Sequence, residues 1–556
     1  MVILSLQTEI SVIEVLLFII SFLISMVNRR LGYLSISLSS AVVIGLTLTQ
    51  GYSPLNLLKI LASFSWLLLS LTSRDSMSPM VSLSIAGMMA FMDSTNFFIM
   101  ISGWEVMAIS LFYAIKSVRG SVVFLAFGEL STVLLIAGAS IAGEISKVGV
   151  LSGTLLISGF LVKTGITPFY GVDWFPLQEG KLPHSASALI SATMTLMGIY
   201  GSLEVFQVMR FEPLAYVLIV LGGFTAFLSS LYGYVSDDGR ASLAFSSIEN
   251  SGAMVTALGI YALGGITQGV ALASLLMIAV SNSIGKTGAF LNSVSSITLS
   301  KPFTKNAKSY AGMVMIATSL SGLLPTAGGI GSWGILESLF IQSYLSGSLG
   351  VISLVGGIFI ALAEGFATAL ILKYASFRHF FRRGSEHDED WIPRLVSGLS
   401  VLALGILISY LVFPKKGGLL GVISGTLILT YSTKPFGGIS PLYIALVAGI
   451  GTLVTMAVVG RPKGRRVKVW NNGVDKEEDY TPFAMANNER VMLKVILGTE
   501  RFSRDAFLSF FALISKKYRA FSDALAKLIF NGKLSVYVAY LLIAFILILI
   551  LASLYG

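Results

Sequence analysis

The chain has 556 residues, of which 55% are hydrophobic and only 12% charged, with a mean hydropathy of +0.84. So few charges cannot cover the surface of a water-soluble protein of this size, so most of the chain belongs in lipid. It has no cysteine and three histidines (His184, His379 and His387), which excludes disulfides, thiolate metal sites, iron–sulfur ligation and cysteine nucleophiles. The net charge of +10 falls mostly in short loops, which fits cytoplasmic loops beside anionic lipid rather than nucleic-acid binding.

A membrane-crossing helix needs roughly 20 apolar residues. Such runs are predicted near 8–28, 33–50, 55–73, 79–93, 95–116, 121–142, 148–169, 185–207, 214–235, 242–262, 266–292, 309–328, 330–347, 349–377, 393–413, 417–432, 440–460 and 534–555. Some are short enough to be half-helices or to merge, so about 14–17 crossings are expected. The first run lacks a basic leader and a small-residue cleavage pattern, and reads as a span rather than a signal peptide. The expected class is an all-α integral membrane protein.

Within these runs, several ionisable residues have apolar neighbours for turns on either side. They are Glu105 in ISGWEVMAIS, Glu129, Lys163 in LISGFLVKTGITPF, Glu249 beside Asn250, Lys286 one turn after Asn282, Glu337 and Glu364. Each costs roughly 2.5–3.5 kcal/mol to place at mid-membrane, so each is a functional candidate. Alternating lysines and carboxylates in a hydrated bundle are what a proton relay requires. The competing reading of a single Lys–Glu pair is architectural, fixing helix register. Two segments break the helical pattern. One follows Lys163 and carries Pro168, Pro176 and Pro183; the other, SGLLPTAGGIGSW (321–333), packs four glycines around Pro325. Broken segments at membrane depth are tolerated only against protein or a wet cavity, and a pair of them points to a transporter built of two halves.

The C-terminal part differs in character. Residues 461–533 hold a basic run (RPKGRRVK), a polar linker and a long segment, 487–530, with apolar residues at three-to-four spacing and a basic opposite face. That pattern predicts a helix along the membrane surface, tethered at its far end by the apolar stretch 534–555. It reads as a strap along neighbouring subunits.

These segments resemble the antiporter-like membrane subunits of the complex I and Mrp antiporter superfamily. The likeness is closest to the long proton-pumping subunit of group 4 membrane-bound hydrogenases and formate hydrogenlyases. It is carried by GWEVMAIS (103–110), LVKTGITPF (161–169), SALISATMTLMGIYG (187–201), SLAFSSIENSG (242–252), SNSIGKTGAFL (281–291), SGLLPTAGGIGSW (321–333), KVWNNGV (468–474) and TPFAMANNERV (481–491). The resemblance implies two inverted five-helix repeats, each with a broken helix, and a C-terminal lateral helix. It implies a division into N-terminal helices (1–94), first repeat (95–235), second repeat (236–377), C-terminal helices (378–460), linker and lateral helix (461–533) and a final helix (534–556). It places the family's pairing glutamate on Glu105, its central lysine on Lys163 and its second-half lysine on Lys286. Glu249 and Asn250 match the hydrogenase-type pattern.

The sequence also departs from that family. The charged residue of the second broken helix falls on Ser332, histidines fall on Ser246, Ile278 and Asn282, and a lysine of the first half falls on Leu196. Glu337 or water would have to serve in place of the residue at 332, or the subunit transports incompletely.

The function expected is translocation of protons, or alternatively sodium ions, in a redox-driven membrane complex of a prokaryotic plasma membrane. Residues 487–530 would meet the partner subunits. No cofactor, metal or active site of its own is expected, and no nucleic-acid partner. The alternatives are a stand-alone sodium/proton antiporter and a non-transporting structural subunit.

Overall fold

The computed structural model describes residues 2–412 apart from 73–77, 116–117, 170–181, 237–238, 292–306, 325 and 380–390. Beyond 412 it describes 429–431, 434–437, scattered helical positions between 447 and 458, 486–493 and 506–529. The expected final span, 534–555, lies outside the described residues, as do His379's side chain, His387 and Pro325.

Among the described residues, fifteen helices run from the N-terminus to Val412: α1 (Val2–Val27), α2 (Arg29–Thr49), α3 (Pro54–Thr72), α4 (Pro79–Met92), α5 (Phe97–Ala114), α6 (Val118–Ala142), α7 (Val150–Lys163), α8 (His184–Val208), α9 (Glu212–Val235), α10 (Gly239–Leu263), α11 (Gln268–Phe290), α12 (Ala307–Leu320), α13 (Ala327–Leu345), α14 (Gly350–His379) and α15 (Trp391–Val412). Among the described residues, nine helices are long and apolar enough to cross a membrane, with three shorter apolar ones beside them. Lipid offers backbone groups no partner, so apolar runs of this kind resolve into helices that satisfy their own amides. Local signals set the ends. Asn28 accepts from the amides of Arg30 and Leu31 at the start of α2, Asn96 accepts from Ile99 at 2.9 Å at the start of α5, and Ser78 with Pro79 opens α4.

Two places interrupt the bundle, as the proline and glycine runs predict. The run expected over 148–169 stops as a helix at Lys163, six residues early. Thr164 closes a tighter turn onto the Leu161 carbonyl and Gly165 adopts a φ of +77°, a conformation that favours glycine. The second break lies between α12 and α13, where Gly322 has a φ of +63° and Thr326 caps α13. Within α8, residues Ile190–Met194 form a π-turn.

The bundle is knit by close crossings. A Cβ on Gly103 of α5 would lie 2.6 Å from the Phe91 amide of α4, and one on Gly87 would lie 2.5 Å from the Met107 amide. Only glycine at both points lets α4 and α5 touch backbone to backbone, which fixes where Trp104 and Glu105 sit. The most enclosed helices are α8, α10 and α11, whereas α1, α2, α6 and α14 present many exposed Leu, Ile and Val side chains. On a water-soluble monomer such a belt would be an anomaly; on a membrane protein it faces lipid or another subunit.

One expected span departs from the helical pattern. At the end of 417–432, residues Leu429–Tyr431 pair antiparallel with Lys434–Gly437 as a small hairpin. Helical positions recur between 447 and 458, inside the span expected at 440–460. The chain divides into two units, 1–491 and 492–556. In the second, α17 (Ala506–Ile529) is a continuous helix; a short helix, α16 (Asn487–Met492), precedes it in the sequence. Leu513, Ile514, Tyr518 and Phe521 of α17 are exposed. Ile514, Tyr518 and Phe521 share one face by their spacing, as expected of a surface helix.

Candidate functional site

Lys163 is the last residue of α7 and is completely buried. Its amine donates to the backbone carbonyl of Trp104 at 3.1 Å and lies 4.4 Å from the centre of the Trp104 ring. A carbonyl and a π-face are acceptors that hold an ammonium without neutralising it. The indole is itself fixed, since its Nε1 donates to Ser131 at 3.0 Å and Ser131 donates to the Gly159 carbonyl at 2.7 Å. Glu105 is half-buried on α5, and its carboxylate accepts from Thr132 of α6. Among the described residues, no ion pair joins Glu105 to Lys163. The two are close enough for their charges to be felt without contact, as is Glu129. Glu129 itself is exposed on α6.

Lys286 of α11 is also completely buried, and its amine donates to the Leu243 carbonyl of α10 at 3.0 Å. Six residues along α10, Glu249 is 4% exposed and accepts from the Asn250 amide at 3.0 Å; that amide also donates to the Ser246 carbonyl at 2.8 Å. The sequence neighbours Glu249 and Asn250 therefore act as one polar unit on the α10 face towards Lys286.

A strip of small polar groups joins α8, α10 and α11. Ser191, in the π-turn of α8, shares a hydrogen bond with Ser247 of α10, and the Ser191 carbonyl accepts from Asn282 of α11 at 3.3 Å. A π-turn leaves a carbonyl free for such a bond, and π-turns recur at functional positions for that reason. The buried Ser246, Ser251 and Ser283 hydroxyls and the Asn282 carbonyl oxygen have no hydrogen-bond partner within the described protein. Buried polar atoms of this kind are ordinarily satisfied by ordered water.

The second break brings a carboxylate from another helix close to position 332. Ser332 is 8% exposed on α13. The carboxylate of Glu364, on the neighbouring α14, comes into the break, where a Cβ on Gly322 would meet its Oε2 at 2.0 Å and the Ser332 hydroxyl at 3.3 Å. Glu364 thus lies beside Ser332 at the break and within electrostatic reach of Glu249. Glu337, one of the alternatives raised by the sequence, accepts from Trp333 at 3.2 Å on the same helix and is half-buried.

Several buried charges escaped the sequence reading. Lys59 of α3 pairs with Glu14 of α1 and with Asp93 at the end of α4. Lys373 of α14 donates to the carbonyls of Tyr234 and Ser236, closing the end of α9. Arg240 holds the Leu182 carbonyl at 2.8 Å and His184 at 3.4 Å, so His184 is tied into the start of α8. Among the described residues, no group of histidines and carboxylates could hold a metal ion.

The family model described as NADH:quinone oxidoreductase/Mrp antiporter, transmembrane, matches residues 31–359. The chain is 24% identical over 370 residues to hydrogenase-4 component B of Escherichia coli K12, covering 58% of this chain and 55% of that protein. It is 28% identical over 195 residues to formate hydrogenlyase subunit 3 of the same organism, covering 32% and 31%. The chain thus spans about half the length of the first of these curated relatives and less of the second. Among solved structures, a chain of the membrane-bound sulfane sulfur reductase, an archaeal respiratory membrane complex, superposes with a TM-score of 0.74 at 18% identity. That match covers 97% of this chain and 99% of the other, and it shows a shared fold.

Proposed function

The chain belongs to the NADH:quinone oxidoreductase/Mrp antiporter transmembrane family, and from that membership we propose that it is a proton-translocating subunit of a redox-driven complex in a prokaryotic plasma membrane. Relatives named for hydrogenase, formate hydrogenlyase and sulfane sulfur reductase complexes support the setting. Partner subunits would carry the electron-transfer groups, for which this chain offers no cysteine ligand.

The observation that carries the reading is Lys163, wholly buried and held by a carbonyl and a ring rather than by a carboxylate. An amine tied to a carboxylate is an architectural pin; one held by neutral acceptors can release its proton and take it back. The proposed path starts at Lys163, with Glu105 and Glu129 modulating it from α5 and α6. It follows the serine and asparagine strip to Lys286 and Glu249, and ends at Glu364 beside Ser332. Glu364 then serves where the family's charge at 332 is absent, and Glu337 stays outside the path.

The test is Lys163→Ala in the intact complex, reconstituted in vesicles. Proton uptake is expected to fall to background while electron transfer continues in part. Undiminished proton movement would overturn the assignment and leave the chain a structural subunit.

A further inference from the structure

The ion triad of the N-terminal helices lies apart from this path, and Glu14 precedes the stretch matched to the family. Lys59 stands between two carboxylates, contacting Glu14 directly and Asp93 at 2.5 Å. The three side chains are 5%, 0% and 6% exposed. Asp93 and Glu14 also lie within hydrogen-bonding range of each other. The remaining oxygens, Glu14 Oε1 and Asp93 Oδ2, are buried without a partner in the described protein.

The charge does not balance. Two carboxylates against one ammonium leave one negative charge in a low-dielectric interior, where an uncompensated ion costs several kcal/mol. Asp93 caps the C-terminus of α4, where the helix dipole adds further negative potential. Among the described residues, the ion pairs of Glu14 and Asp93 are with Lys59 alone. From α8, Tyr200 donates its hydroxyl to the Met92 carbonyl at 2.9 Å, and Glu204 lies nearby and is itself acidic. From α2, Ser35 and Ser39 present hydroxyls to Ser21 of α1. Two neighbouring carboxylates in this position share one proton, as carboxylate pairs do wherever like charges meet at hydrogen-bond distance. A sodium ion would need several converging oxygens, and the place between the two carboxylates is already taken by the Lys59 amine.

We infer that Glu14, Lys59 and Asp93 form a second proton-exchange site, holding one proton on the carboxyl pair and independent of the Lys163 path. Lys59 lies five residues into α3, about 8 Å along the helix from its start. Asp93 follows the last residue of α4, so the site is near the bundle face where α3 begins and α4 ends. Phe91, two residues before Asp93, packs with Trp104, Phe160 and Tyr200 at ring centroids 5.0–5.9 Å apart, and Trp104 lies under the Lys163 amine. Exchange with the nearer membrane face is therefore the shorter route.

Infrared difference spectroscopy on the purified complex, titrated from acid to alkaline medium, tests this. The wild type is expected to show a protonated-carboxyl band that shifts in heavy water and is lost at alkaline pH. The band should be missing in both Asp93→Asn and Glu14→Gln, because either change leaves a single carboxylate that Lys59 neutralises. Lys59→Met should keep the band to higher pH, since removing the ammonium strengthens proton binding. If the wild type and both carboxyl variants give superimposable spectra, the site holds no proton and the triad is only a pin between helices. The readout is separate from proton pumping, so it stands or falls apart from the role of Lys163.

Discussion

At Lys163 and Lys286 the same choice recurs: a buried amine donates to a backbone carbonyl from a neighbouring helix, Trp104 in one case and Leu243 in the other. Glu364 extends that logic to the second break, and two substitutions test it. Glu364→Gln is expected to lower proton translocation by about tenfold or more, the scale of losing a positioned acid–base group. Adding Ser332→Glu to Glu364→Gln should restore much of the rate, because the new carboxyl enters the same break; proton uptake by vesicles reads both. Residue-scale legibility was uneven. Lys163, Lys286 and Glu249 stood out because each interrupts a long apolar run. Lys59, Glu14 and Asp93 did not, because their pairing joins positions 45 and 34 residues apart with no periodic signal. Glu364 was visible as a candidate, but its meeting with Ser332 depends on how α14 packs against the break.

The helices themselves were legible from apolar length, and most observed ends fall within a few residues of those expected. The exceptions have physical causes. α7 ends at Lys163 because Gly165 takes a left-handed turn, and the apolar residues after it carry no helix-ending signal until Pro168. The hairpin at 429–437 includes a Lys-Pro step that an apolar run alone does not disclose. Glycine at two kinds of position sustains the architecture, and each kind predicts an outcome. Gly322→Ala places a Cβ where the Glu364 carboxylate sits, in a backbone region that costs an alanine about 1–2 kcal/mol. It should lower the thermal midpoint of the chain and reduce proton translocation together. Gly103→Val should be harsher, because the Phe91 backbone it meets cannot move as a side chain can; reduced yield of folded chain in detergent is the measurement.

For the whole chain, the exposed apolar belt and α17 present two different surfaces. The belt on α1, α2, α6 and α14 is mostly aliphatic, whereas α17 alternates Leu513, Ile514, Tyr518 and Phe521 with Lys516, Lys517 and Arg519. Such a mixed face fits a partner or a lipid headgroup layer better than a lipid interior. Ile514→Asp with Phe521→Asp is expected to leave membrane insertion intact and to lose partner subunits during mild-detergent purification, read by the composition of the purified complex. Retention of every subunit would assign the helix to the lipid surface alone. One contact also makes the molecule its own gauge. Trp104 is one of six tryptophans, and its indole lies directly under the Lys163 amine. A charge appearing or vanishing 4.4 Å from that ring alters the field across the chromophore. The emission colour of a variant retaining Trp104 alone should therefore follow the charge on this lysine, giving an optical signal of each proton's arrival without any added dye.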